Sequence, residues 1–213
     1  MFNISRNNKI LFLPIKQECK ISLRKLSIND QAAVRKWLAD PYLTQLTFVV
    51  PGPEYSTATT WNDTAIEQYI RALVTDLNRQ TFAIELNGNH VGNVGLKELN
   101  FEKRSTEFFI EIGESRHRGQ GVGKAALVIL LEYVFFTLGL NEIRLEVLEF
   151  NSIALKVYQD LGFTITHRSG WHYDREGHYW QVWAMSLPKE KWFFRRRQVN
   201  LPDHFTLLPI DKP

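Results

Sequence analysis

Glu114-Ser-Arg-His-Arg-Gly-Gln-Gly-Val-Gly-Lys124 joins a strand-like run, Thr106 to Ile112, to an apolar run, Ala125 to Leu138. It sets Gly119, Gly121 and Gly123 among the cations Arg116, Arg118 and Lys124. A strand, a glycine-rich basic turn and a helix together make an anion site. Glycine lets backbone N–H groups approach an oxygen-rich ligand, and the helix start adds a favourable dipole. The stretch therefore predicts a phosphate or pyrophosphate at residues 116–124. A Walker-type loop needs glycine where Arg118 stands and Ser or Thr where Ala125 stands, so it is excluded. The glycines read G-x-G-x-G, which is a poor match to the G-x-G-x-x-G of a dinucleotide fold. What remains is Arg118-x-x-Gly121-x-Gly123, a cation followed by two glycines at a helix start.

Working outward, the 213 residues suffice for one domain with a sizeable core. The formal charge of +3 is far from that of a nucleic-acid-binding extreme. Arg195–Arg197 beside Trp192–Phe194 is one short basic run, read as a solvated tail or an interface. A single cysteine, Cys19, excludes a disulfide framework within the chain and predicts a reducing, cytoplasmic setting. No window is long and apolar enough to span a membrane, and Ile10 to Ile15 is too short for a secretory segment.

The element pattern follows from periodicity. Residues 1–18 read as an N-terminal extension with a short strand at Ile10–Leu13. Ile21–Leu26 alternates as a strand, and Asn29 or Asp30 caps a helix through Leu38. Pro41–Trp61 reads as an irregular, lid-like segment. A second helix, capped by Asn62 or Asp63, carries an apolar stripe ending at Leu77. Strands at Thr81–Leu86 and His90–Leu99 flank an Asn87-Gly88-Asn89 hairpin turn. On Thr106–Ile112, Phe108, Ile110 and Ile112 share one face, with Glu107, Phe109 and Glu111 on the other. After the glycine turn come a buried helix closed by Gly139, a strand Glu142–Leu148 and a short helix Ser152–Leu161. Strands Phe163–Arg168 and Tyr179–Leu187 complete the domain, with a loop between them carrying His172, Asp174, Glu176 and His178. This order predicts a mixed α/β (α+β) sheet with helices on its faces. The domain spans 19–188, and 189–213 forms a basic, aromatic C-terminal tail.

A second motif lies one helix and one strand downstream: Asn151-Ser-Ile-Ala154-Leu-Lys-Val-Tyr158-Gln-Asp-Leu-Gly162-Phe163. Asn151, Ala154 and Tyr158 superpose on one helix face. Together the two motifs resemble those of the GNAT superfamily of N-acetyltransferases, (R/Q)-x-x-G-x-(G/A) and N-x-x-A-x-x-x-Y-x-x-x-G-F. The resemblance covers about Ile21 to Leu187 and is greatest to the branch with ribosomal-protein N-terminal and spermidine or small-amine N-acetyltransferases. It implies a single-domain acyl-CoA N-acyltransferase fold, with a twisted, mostly antiparallel sheet of about seven strands. The fourth and fifth strands splay apart in that fold. It also implies acetyl-CoA as donor, held by the backbone at Arg116, Arg118, Gly119, Gln120, Gly121, Val122, Gly123 and Lys124. The pantetheine arm would lie along Ile110 and Ile112, beside Asn151, Ala154 and Tyr158.

Acetyl transfer to an amine needs a neutral nucleophile, a stabilised oxyanion and a proton for the leaving thiolate. A lysine-type amine, with pKa about 10.4, is mostly protonated at neutral pH, so a base is useful. Tyr158 fits the family's proton donor, against the plain alternative of a core tyrosine. Glu146, Glu107 and Glu111 compete as base, each also readable as a solvated or ion-paired strand residue. His172, His178, Asp174 and Glu176 match no zinc spacing, so no metal is expected. The acceptor site is expected from Pro41–Trp61, the second helix and Trp171–Tyr179, with Tyr42, Phe48, Tyr55, Trp61 and Trp171 as its aromatics. A polyamine would draw on Asp40, Glu54 and Asp63. The acceptor reads as a protein N-terminus or a small amine, with amino sugars, polyamines and antibiotics as alternatives. An acyl-CoA sensor without catalysis, and a homodimer, stay open.

Overall fold

The computed structural model describes residues 19–46, 63–173 and 178–210. The expected strand at Ile10–Leu13, Phe48, Glu54, Tyr55, Trp61, Asn62, Asp174 and Glu176 lie outside them, as does the side chain of Asp63.

The chain runs β1 (Cys19–Lys25), α1 (Gln31–Leu38), α2 (Pro41–Leu46), α3 (Asp63–Thr75), β2 (Gln80–Leu86), β3 (Asn89–Asn100) and β4 (Ser105–Glu111). Then follow α4 (Val122–Glu132), β5 (Glu142–Leu148), α5 (Ser152–Leu161), β6 (Thr164–Tyr173), β7 (Tyr179–Pro188), α6 (Lys189–Arg195) and β8 (Phe205–Leu207). Among the described residues these strands form one sheet in the order β6-β7-β5-β4-β3-β2-β1-β8. Only β4–β5 and β1–β8 are parallel. The sheet is mixed and mostly antiparallel, as the sequence predicts.

Alternation on the strands divides the core. Phe82, Ile84, Val94, Leu96 and Phe108 pack with α4, whose Ala126, Leu127, Leu130 and Leu131 are buried. Ala83 and Leu73 pack on the opposite face with Tyr69 and Phe109. Helices thus cover both faces. The hairpin turns at Asn87 (φ 53°) and Gly88 (φ 77°), the left-handed pair that a two-residue turn requires. Two side-chain bonds close the turn ahead of α1: Ser27 Oγ accepts from Asn29 N at 3.1 Å, and Asp30 Oδ2 accepts from Ser27 N at 2.9 Å.

Four sequence expectations need correction. Pro41–Leu46 is helical, not irregular: Asp40 Oδ1 accepts from Tyr42 N at 3.0 Å and proline suits a first helical position. The second helix stops at Thr75, and Leu77 is 96% exposed instead of closing its stripe. The loop expected before Tyr179 is shorter, because β6 continues to Tyr173 against β7. An eighth strand, β8, adds to the sheet edge by pairing Phe205–Leu207 with Cys19–Ile21. It follows α6, whose Trp192 is fully buried and donates from Nε1 to Glu132 Oε1 at 2.9 Å.

Candidate active site

The site begins where two strands part. β4 and β5 pair at Ser105↔Glu142, Thr106↔Ile143 and Glu107↔Arg144, and no further β4–β5 pair is formed among the described residues. Beyond Glu107 the strands bound a cavity of about 700 Å³, in the size range of small-molecule sites. Ile110, Ile112, Leu145 and Val147 supply apolar wall, and Asn151, Ala154, Val157 and Tyr158 of the α5 region close one side. Gly119, Gly121, Gly123 and Lys124 border it at the start of α4.

That helix start is open. Gly121 is the N-cap, with φ 88°, and among the described residues no side chain caps the helix. Ala125 N is the first amide in the helical ladder, bonding Gly121 O at 2.9 Å. The amides of Val122, Gly123 and Lys124 precede it and have no intrahelical partner, so they and the dipole can receive an anion. Gly119 also takes a left-handed backbone, φ 73°. The donor set therefore fits a phosphate group.

Two of the cations around the turn, Arg118 and Lys124, are employed within the protein. Arg118 donates from Nε to Ile112 O at 2.8 Å and from Nη2 to Gly113 O at 2.8 Å and Asp40 Oδ2 at 2.7 Å. It ties the glycine turn to the end of β4 and to the α1–α2 corner. Burial works to raise the Asp40 carboxyl, but the Arg118 bond and charge outweigh it and leave it below the usual carboxylate range. Lys124 Nζ points to Asp160 Oδ2 of α5 at 3.4 Å. Arg116 is exposed, and its carbonyl accepts from Gln120 Nε2 at 2.7 Å. Gly113 lets the Trp37 indole lie flat on the end of β4, since a Cβ there would fall 1.9 Å from Trp37 Cδ2. Trp37 Nε1 donates to Glu114 at 3.1 Å, so α1 is pinned to the same corner.

The sequence-predicted chemical residues converge on one cavity but differ in state. Tyr158 is buried, with its ring edge-on to Phe108 at 5.6 Å, and burial raises its phenol above the ordinary value. Asn151 caps α5, its Oδ1 accepting from Ala154 N at 3.2 Å. Glu146 lines the cavity but is exposed. Glu107 is held by Lys97 at 2.6 Å. Glu111 is buried and accepts from Asn93 Nδ2 at 2.7 Å; burial raises its carboxyl, against the Asn93 bond and the Arg118 charge. A carboxyl moved upward in this way is a stronger base than a free one. Of the expected acceptor residues, Tyr42 lines the cavity with Leu43, Leu46 and Tyr69. Trp171 and Tyr179 are exposed and not among its lining. Among the described residues no group of three or more His, Cys, Asp or Glu side chains could hold a metal.

The sequence reading gives no site role to Tyr69, which it places in the apolar stripe of the second helix, or to Asn93. Asn93 had a signal: it is a polar residue inside the apolar run Val91-Gly-Asn-Val-Gly-Leu96, directly across from Glu111 in the β3–β4 register.

A splayed parallel strand pair with an open helix start between two covered sheet faces defines an acyl-CoA-type acyltransferase architecture. The chain belongs to the acetyltransferase (GNAT) domain family, whose family model matches residues 20–164 and whose enzymes use acetyl-CoA. It is similar to the spermidine N(1)-acetyltransferase of Escherichia coli K12, 32% identical over 137 residues, 64% of this chain and 63% of that protein. The chain thus spans slightly less than two thirds of that relative's length. An uncharacterised N-acetyltransferase, p20 of Bacillus licheniformis, is 24% identical over 148 residues, 68% of this chain and 79% of that one. Among solved structures, spermidine N-acetyltransferase from Vibrio cholerae in complex with CoA and spermine superposes with a TM-score of 0.71 at 25% identity, covering 81% of this chain and 98% of that one.

Proposed function

We propose that this chain is an acetyl-CoA-dependent N-acetyltransferase whose acceptor is a small primary amine of the polyamine class. The observation that carries the reading is the β4–β5 slot, with an uncapped helix start at one end and Tyr158 in its wall. The acceptor class draws on the spermidine-acetylating relatives and on the carboxylates Glu107, Glu111 and Glu146 in the same cavity. When bound, acetyl-CoA supplies the activated acetyl thioester. The amides of Gly119 to Lys124 hold its pyrophosphate, and Ile110 and Ile112 flank its arm. Glu111 receives the proton of the ammonium, since burial disfavours its charged form. Tyr158 keeps its phenolic proton at neutral pH and donates it toward the departing sulfur. Glu146, being exposed, is the alternative base with freer access to water.

The test is thiol release from acetyl-CoA against spermidine, spermine, amino sugars, aminoglycosides and peptides with free N-termini. Saturable turnover fastest on the polyamines supports the reading. Saturable turnover confined to peptides moves the acceptor class, and CoA binding without turnover on any amine supports a sensor in its place.

A further inference from the structure

Behind Glu111 lies a buried row of polar groups that the reaction scheme leaves unused. Asn93 is fully buried, directly across the β3–β4 ladder from Glu111. Its Nδ2 donates to Glu111 Oε1 at 2.7 Å, and its Oδ1 faces His90 Nε2 at 2.9 Å. An amide oxygen only accepts, so His90 Nε2 carries a proton. The other ring nitrogen, Nδ1, faces Asp30 Oδ1 at 3.3 Å. The imidazole thus donates to Asn93 through Nε2 and sets Nδ1 against Asp30.

Asp30 is a firm anchor for it. Arg24 grips it with two bonds of 2.8 and 2.9 Å, and the Ser27 amide adds another at 2.9 Å. The Trp37 ring stands edge-on to His90 with centroids 4.8 Å apart, and the His90 and Asp30 side chains are 11% and 9% exposed. The donors run in one direction, from His90 through Asn93 to Glu111.

We infer that Asp30, His90 and Asn93 are positioning residues that hold the Glu111 carboxylate, by one oxygen, in the orientation in which its other oxygen serves the amine. The inference rests on the reading of Glu111 as the base. Asn93 passes no proton, because an amide nitrogen does not give one up readily. It fixes the carboxylate, and its N–H bond favours the ionised form. The other groups facing Glu111 are Arg118, which attracts its charge, and Tyr69 of α3, whose phenol is raised first by burial and then by the Glu111 charge. Glu107, four residues back on the same strand face, is neutralised by Lys97.

The experiment follows the Glu111 carboxyl itself by ¹³C NMR of glutamate-labelled protein, assigned by its loss in Glu111→Gln, together with the acid limb of kcat/KM on spermidine. Asn93→Ala and the milder His90→Gln are expected to move the Glu111 midpoint toward higher pH. Each lowers kcat/KM about tenfold or more near neutral pH, with the Kd for CoA changed less than twofold. Asn93→Asp places a second carboxyl beside Glu111 and moves the midpoint further in the same direction. Variants that melt earlier but leave midpoint and limb where they were overturn the inference, since the row is then only structural. Glu111→Gln with undiminished turnover overturns instead the assignment of Glu111 as base, an outcome distinguishable from the first because the midpoint is read without substrate.

Discussion

Gly123 separates fold from ligand binding at one position. It lies in the first turn of α4, and a Cβ built there would sit 3.6 Å from Ile112 Cγ1, 3.7 Å from Ile112 Cδ1 and 3.8 Å from Ile110 Cδ1. These are ordinary contact distances, so alanine fits without displacement. Replacing glycine by alanine in a helix gains up to about 1 kcal/mol, which in a chain of this size raises Tm by about 2–4 °C. Leucine is an equally good helix former, but its branch must extend into the slot that Ile110 and Ile112 line. Local crowding limits its cost to stability to about 1–3 kcal/mol. A ligand arm in the same slot has no such latitude. Gly123→Leu is expected to weaken CoA binding at least 100-fold, or about 2.8 kcal/mol, while Gly123→Ala stays within threefold of wild type. Isothermal titration with CoA, paired with thermal melts, reads both quantities. A folded Gly123→Leu protein that binds CoA like wild type would refute the placement of the ligand between α4 and β4.

Three further outcomes follow from the same geometry. Tyr158→Phe keeps the ring packing against Phe108 and Phe163 and removes only the hydroxyl, so kcat should fall about 100-fold or more with the CoA Kd unchanged; an unaltered rate removes Tyr158 from the mechanism. Arg118→Lys cannot span Ile112 O, Gly113 O and Asp40 with one ammonium, and should cost about 1–3 kcal/mol in a denaturant melt as well as weakening CoA binding; a variant matching wild type in both shows that the brace is dispensable. Glu111 binds its proton more tightly folded than unfolded, so its contribution to stability is present below the unfolded carboxyl pKa, about 4.3, and is lost as pH rises through the raised folded value. Glu111→Gln should therefore gain on wild type in urea midpoint as pH rises above about 4.3, and parallel profiles would contradict that sign.

Much of the fold was legible because it rests on local chemistry. Asn87-Gly88 encodes a left-handed two-residue turn, Asn151 and Gly162 bracket α5, and Gly121 opens α4 at a positive φ that other residues resist. The site's backbone frame was legible for the same reason. What escaped depends on distant partners. Arg118 reads as a phosphate cation, yet its guanidinium folds back onto carbonyls six and five residues earlier and onto Asp40, a pairing 78 positions away. Trp192 reads as tail, yet it is buried against Glu132, and β8 gains its meaning only from pairing with β1. Glu107, Glu111 and Glu146 look alike in sequence. Lys97, Asn93 and solvent, supplied by other strands and the surface, make them differ.

Amide hydrogen exchange with and without CoA tests the central claim most directly. The account predicts slowed exchange at Gly119, Gln120, Gly121, Val122, Gly123 and Lys124, where an anion would engage amides that precede the helical ladder, and along Ile110–Ile112. Saturable CoA binding with exchange unchanged at those amides and slowed elsewhere would contradict it.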